Sequence, residues 1–519
     1  MNPPAGYEPA WAIRNLDVPQ YLTWINASRD RLLLPDYHAP WQTGPGLFEP
    51  LFWLAARIPL PALGAYYVFH FALYWIACGV LLWSASVFCP GRLTRFAFII
   101  AACAVPIRLF GWMFASLCGS IKWQAIFAAG LIDYGYDSAD GLFRGGLSNS
   151  PTLTAGTIFV VLAMTLLARY TQTWTRKLWI ALCTVTFVSA VTHPFEVFLI
   201  VAASAAPLLL QRRFLDWLAV GVAGFLGLIP YLLLGIRSDW LRDAGDLSPS
   251  SFHPLTIAAD FGLPCILVVY FLALRFRMPD PRDTVLRSWF FALPVLFVLP
   301  GVPFPLHLMN GFAYCIGFLL VRRIAIDKQI APLMQRNPRA TFAILGTLAA
   351  FAFAALGIFY TQVSRDGRKA DPLWLLSSVE RVEQPALIDW VRTHSAPDAL
   401  IFAPTDVAPW LATIPRITFA SHDLFSITYA HQQQEADRVL RGETPLQSLI
   451  DEYGIRIAVT PANSPAHAPQ ANWRADVGPW KIYEFPDQKL KPYPGLAVLD
   501  PSVHRSVRAR LLGWIAQRK

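Results

Sequence analysis

The chain has 519 residues, 55% of them hydrophobic and 15% charged, with a formal net charge of +9. A soluble globule carries about 25% charged residues, whereas here the apolar residues gather in runs of about 20, enough to cross a ~30 Å hydrocarbon core as a helix. Composition therefore excludes a soluble globule, a collagen-like chain and a disordered chain. The basic charge lies in short connections between apolar runs, which excludes nucleic acid as its partner.

In chain order, Asn15–Ile25 places a carboxylate, Asp17, before a helix bearing Tyr21, Leu22, Trp24 and Ile25. Pro19 falls in the first turn, where it is tolerated. Asp17 reads as the helix N-cap or as a functional acid, and the two roles are compatible. Glu49, before Pro50, stands at the mouth of a second helix and reads as structural or as a substrate contact.

About ten apolar stretches follow: Ala62–Phe88, Leu93–Leu109, Thr152–Ala168, Leu178–Val191, Phe195–Leu210, Leu215–Ile236, Leu255–Leu274, Ser288–Val302, Leu306–Val321 and Ala340–Tyr360. The expected fold class is mainly α: a polytopic helical membrane protein of about ten transmembrane helices with a small C-terminal extracytoplasmic α/β domain. The boundaries are an outer N-terminal segment at 1–61, a transmembrane domain at 62–360 and the α/β domain at 361–519. Sixteen Arg and Lys residues, from Arg92 to Arg339, fall in alternate connections. The opposite connections hold five: Arg108, Lys122, Arg144, Arg237 and Arg242. Basic residues stay cytoplasmic, so the first set is inside, and both the N-terminal segment and the chain beyond Thr361 are outside. An outer N-terminus with no charged n-region or apolar run of its own points to a transmembrane helix preceding Met1, with spontaneous translocation of a short N-terminal tail as the alternative.

Polar groups at the outer ends of the helices are the functional candidates, because ionisable residues near hydrocarbon cost free energy. Thr192–Glu196 is a turn in which His193 and Glu196 either hydrogen-bond locally or meet a substrate. The long outer loop carries Lys122, Asp133, Asp137 and Asp140; the acids match no cation cage and read as solvated. No metal is required by the sequence, and a divalent cation is left open as the cofactor. Lys122, Arg237 and Arg242, with Arg108, His253 and His307, suit a phosphate at the bilayer surface or simply snorkel to headgroups. The seven cysteines form no CxxC pair and read as small buried hydrophobes.

Beyond Thr361 the pattern predicts a helix from Val379 to Thr393 and a strand at Ala399–Ala403. A second strand at Arg416–Ala420 precedes helices at Gln432–Leu440 and Leu446–Tyr453. Gly454 is the expected left-handed cap, with strands at Ile455–Thr460 and Trp480–Phe485 after it. Alternating strands and helices imply a small α/β domain. The tail Pro501–Lys519 has apolar residues at helical spacing among arginines, suited to a headgroup surface or to solvent. No phosphate loop, GxSxG, HExxH or EF-hand motif is present.

The Asp-x-Pro-x-Tyr-Leu segment, the long outer loop, the His-Pro-Phe-Glu turn and the terminal α/β domain together resemble bacterial polytopic glycosyltransferases of the GT-C superfamily. The resemblance implies a polyprenyl-phosphate sugar donor, a lipid-linked or envelope acceptor, and a bilayer location in the bacterial plasma membrane. It implies that Asp17, as the acid of the first outer loop, is catalytic. Tyr21, Glu49, Lys122, His193, Glu196, Arg237 and Arg242 are the expected substrate contacts. A transporter or flippase for a lipid-linked intermediate is the alternative, although its mid-bilayer charges are few. A non-catalytic membrane protein with a ligand-binding α/β domain is the third reading.

Overall fold

The computed structural model describes residues 7–9, 18–35, 37, 47–89, 91, 94–95, 151–237, 280–298, 308, 310–326, 332, 336–341, 343, 346–347, 379–381, 383–421, 429–466, 471, 473–486 and 488–491. Most of the apolar stretches Leu93–Leu109 and Ala340–Tyr360, all of Leu255–Leu274, the acidic outer loop and the tail from Pro501 lie outside the described residues. Two compact units divide the chain, one of Met1–Phe69, Pro230–Pro249 and Arg368–Lys519, the other of His70–Ile229 and Ser250–Gly367.

The apolar runs form helices α3 (Ala62–Phe88), α4 (Pro151–Thr173), α5 (Arg176–Thr192), α6 (Glu196–Leu209), α7 (Phe214–Arg237), α8 (Pro281–Val298) and α9 (Phe312–Ile326). Among the described residues three are long and apolar enough to cross a membrane: α3, α4 and α7 as far as Leu234. Exposed Phe71, Trp75 and Ile76 on α3 and Leu218, Phe225 and Leu233 on α7 suit contact with lipid rather than water. Helix α8 begins at Pro281, seven residues before the expected Ser288. Its first turn is polar, which a search for apolar runs passes over, and proline suits that turn. Helix α9 starts at Phe312, later than Leu306, because Gly311 turns the chain at φ 76°.

Within the helical unit, α4, α6, α8 and α9 share a core of Met164, Leu167, Leu199, Trp289, Tyr314 and Phe318. Several polar groups inside it are paired. The Thr165 hydroxyl donates to Ser84 Oγ at 2.6 Å, and the Tyr170 hydroxyl to Asp216 Oδ2 at 2.8 Å. Arg322, buried on α9, donates to Asp283 and to Asp280 of the α8 start. Burial opposes ionisation of Asp280, but its bonds with Arg282 and Arg322 outweigh that and hold the carboxyl well below the usual range.

In the other unit, helix α1 (Val18–Ala27) and helix α2 (Pro50–Ala55) flank a hairpin of β2 (Leu33–Leu34) and β3 (Leu47–Phe48). Strand β1 (Tyr7–Pro9) pairs antiparallel with β4 (Val379–Arg381). The expected helix from Val379 is therefore corrected: it begins only at Gln384, as α10 (Gln384–His394), with Pro385 in its first turn. Residues 379–381 are taken instead by a partner some 370 residues upstream.

The five-stranded sheet has the order β6-β5-β7-β9-β8, parallel across β6 (Ile417–Thr418), β5 (Leu400–Phe402) and β7 (Ile457–Pro461), and antiparallel onward to β9 (Trp480–Glu484) and β8 (Trp473–Val477). Helices α11 (Ala408–Ala412), α12 (Tyr429–Leu440) and α13 (Leu446–Tyr453) complete the α/β module. Gly454 ends α13 in the left-handed region at φ 76°. The N-terminal helices pack onto this module: Trp24, Ile25 and Phe52 share one core with Leu400, Phe402, Phe419 and Ile450. Asn26 Nδ2 donates to the Thr413 carbonyl at 2.7 Å, and the Thr418 amide to the Tyr37 carbonyl at 2.9 Å. Helices α1 and α2 and the carboxyl-terminal module therefore pack as parts of one compact unit.

Candidate functional site

Two groupings of candidate residues emerge, one in each unit. In the first, Val18, the chain neighbour of Asp17, opens α1, and Glu49 immediately precedes α2. The two helices are locked by rings: Tyr21 stacks on Phe52 at 4.8 Å and 14°, and lies 6.1 Å from Tyr66. Trp24 tilts against Phe52 at 5.1 Å. Aromatic contacts of this kind add about 0.5–1.5 kcal/mol each beyond area burial. Tyr21 is buried, so its ring serves this cluster.

The Glu49 carbonyl caps α2 by accepting from the Phe52 and Trp53 amides at 3.1 and 3.0 Å. Its carboxyl makes no capping bond. Desolvation by burial pushes that carboxyl up to about 8, so Glu49 is mostly protonated at neutral pH and is a hydrogen-bond donor. The preceding Phe48 meets Tyr231 of α7 edge to face at 5.6 Å, which brings the far end of α7 to Glu49's neighbour. Arg237 is the last residue of that helix.

In the second grouping, α5 stops at Thr192 because Pro194 has no amide hydrogen to continue it. The His193 amide donates to the Ser189 carbonyl at 2.8 Å, and α6 restarts at Glu196. The Glu196 carboxylate sits in the first turn of α6, where the helix dipole favours negative charge. His193 Nδ1 lies 2.6 Å from its Oε2, and Asn310 Nδ2 donates to its Oε1 at 2.5 Å. All three side chains are buried, Glu196 completely. Both carboxylate oxygens are thus engaged, and the carboxylate fixes the orientation of the His193 ring.

Gly156 of α4 packs directly against this cluster. A Cβ there would overlap Glu196 Oε1 and stand 2.8 Å from Asn310 Nδ2. Asn310 and Gly156 were not among the sequence candidates; they lie 114 and 40 residues from Glu196, and no local motif joins them. Asp17, Lys122 and Arg242 lie outside the described residues, as does the side chain of Arg237. Among the described residues no group of three His, Cys, Asp or Glu side chains is placed to hold a metal ion.

No family model matches the chain, and no curated protein matches it in sequence. Among solved structures it is similar to ArnT from Cupriavidus metallidurans in the apo state, at 14% identity over 91% of this chain and 94% of that one, with a TM-score of 0.48. It is similar to the same protein bound to undecaprenyl phosphate, at 11% identity, with the same coverage and a TM-score of 0.49. The oligosaccharyltransferase of Archaeoglobus fulgidus in complex with Zn and sulfate is similar at 10% identity over 87% of this chain and 65% of that one, with a TM-score of 0.43.

Proposed function

We propose that the chain is a membrane glycosyltransferase of GT-C type. It moves a sugar from a polyprenyl-phosphate donor to a lipid-linked or envelope acceptor at the outer face of a bacterial plasma membrane. The observation that carries this reading is the joining of two acid-headed, ring-locked helices, α1 and α2, with the end of α7 and the α/β module in one unit. Asp17 as a carboxylate, protonated Glu49 and Arg237 together at the membrane–water boundary would suit a donor whose tail stays in lipid.

Asp17 is the base. It takes the proton of the acceptor hydroxyl as that oxygen bonds to the sugar C1; the C1–O bond to phosphate breaks, and the anomeric centre inverts. The electron pair leaves on the polyprenyl phosphate, whose growing charge is met by Arg237, Arg242 and Lys122. Glu49, in its protonated form, donates to the donor phosphate or sugar. Glu196 orients His193 for a substrate contact of its own.

The test is transfer of labelled sugar from a polyprenyl-phosphate donor by the full chain in proteoliposomes. Asp17→Asn is expected to cut turnover at least about a hundredfold, the usual scale of a general base, while donor binding persists. Unchanged flux of the lipid-linked substrate across the bilayer, with no transfer by either protein, would instead identify a carrier.

A further inference from the structure

Beside the start of α3, an open cleft of about 620 Å³ is lined by Asn26, Arg29, Leu60, Ala62 and Arg392 among others. Ala62 is the first residue of a 27-residue apolar helix. At 1.5 Å per residue that helix is about 40 Å long, more than the ~30 Å hydrocarbon core, so its first turn reaches the headgroup layer. With that end of the helix in the headgroup layer, the cleft would open at the depth of lipid phosphates.

Its two lining arginines, Arg29 and Arg392, come from separate elements. Arg29 Nη2 donates to the Leu60 carbonyl at 2.5 Å. Arg57, next to it, donates to the Ser28 carbonyl at 2.7 Å and lies over the Trp53 ring at 4.6 Å. Arg392 bonds Asp389 at 2.7 Å in an exposed pair, an arrangement worth little in water. Among the described residues, Asp389 pairs with Arg392 and no ion pair joins Arg29 or Arg57 to an acid. Leu54 and Leu60, both in the stretch leading into α3, are exposed. Cationic forks beside exposed leucines at the foot of a membrane helix match an anionic lipid surface, with leucines entering the acyl boundary and guanidinium groups meeting phosphate.

We propose that this cleft binds the phosphodiester headgroup of an anionic bilayer phospholipid, docking the N-terminal helices on the membrane surface. Among the described residues its lining contains none of the groups assigned to sugar transfer, and its occupant is a bulk lipid rather than a substrate.

The test uses the purified full chain in neutral detergent, titrated with phosphatidylglycerol or phosphatidylcholine and read by native mass spectrometry. Wild type is expected to prefer phosphatidylglycerol. Each arginine near a membrane surface is worth about fivefold in affinity, so Arg29→Gln/Arg392→Gln should lose about 25-fold of that preference. Arg392→Gln alone, which removes a side chain paired with an exposed acid, should lose about fivefold without a change in melting temperature. Equal binding of the two lipids by wild type, or an unaltered preference in Arg392→Gln, would overturn the proposal. So would displacement of phosphatidylglycerol by millimolar inorganic phosphate, which would make the cleft a free-phosphate site.

Discussion

The α-carbon of Gly156 faces the carboxylate of Glu196 at a distance that leaves no room for a methyl group. Helix α4 and the start of α6 meet there through the smallest residue and a fully buried acid. Gly156→Ala should therefore destabilise the helical unit by about 1–3 kcal/mol, the scale of overpacking in a close-packed interior. Gly79→Ala in α3 meets no atom within 4 Å and should be neutral or slightly stabilising. Thermal unfolding of the two variants in detergent checks the contrast.

Glu196 and Asn310 should behave as one unit. Replacing Asn310 by Ala leaves Glu196 Oε1 without its donor, and an unmet buried charged group costs more than the ~1 kcal/mol of a typical hydrogen bond. Once Glu196→Gln has removed the charge, the same Asn310→Ala change should cost less. A double-mutant cycle on unfolding free energy should give a coupling of about 0.5–3 kcal/mol, and additive effects would argue against the bond.

For Glu49, the folded carboxyl titrates at about 8 against an ordinary value of 4.5. Between those values the folded chain holds a proton that the unfolded chain has released, so stability falls as pH rises through that window. Glu49→Gln should flatten the pH dependence, melting above wild type at pH 8.5 and close to it at pH 4.5. The proposed activity should also fall as pH rises through about 8, when the ionised carboxylate comes to repel the donor phosphate. In Glu49→Gln that fall should disappear.

The helices were legible because length and hydropathy are local: Ala62–Phe88 was expected and found residue for residue, and Glu196–Leu209 differs by one at each end. The carboxyl-terminal strands β5 and β7, helix α13 and the Gly454 cap were legible for the same reason, as short apolar runs bounded by turn residues. The pairing of β1 with β4 was not, because the partner of Val379–Arg381 is Tyr7–Pro9, and nothing within a local window records it. Strand β8 (Trp473–Val477) is an outer strand carrying Arg474 and Asp476, so no apolar run marks it. His193 and Glu196 were found through their turn, whereas Asn310 and Gly156 belong to the same site through packing alone.

The proposed function requires the N-terminal helices and the carboxyl-terminal module to share the outer aqueous space. Single cysteines at the exposed positions Asp30→Cys, Asp451→Cys and Gln211→Cys, in a chain whose seven native cysteines are replaced, test it with a membrane-impermeant maleimide on intact cells. Labelling of the first two from outside, with Gln211→Cys labelled only after permeabilisation, is the predicted result. Labelling of Asp30→Cys and Asp451→Cys from opposite faces, or of both only after permeabilisation, would contradict it.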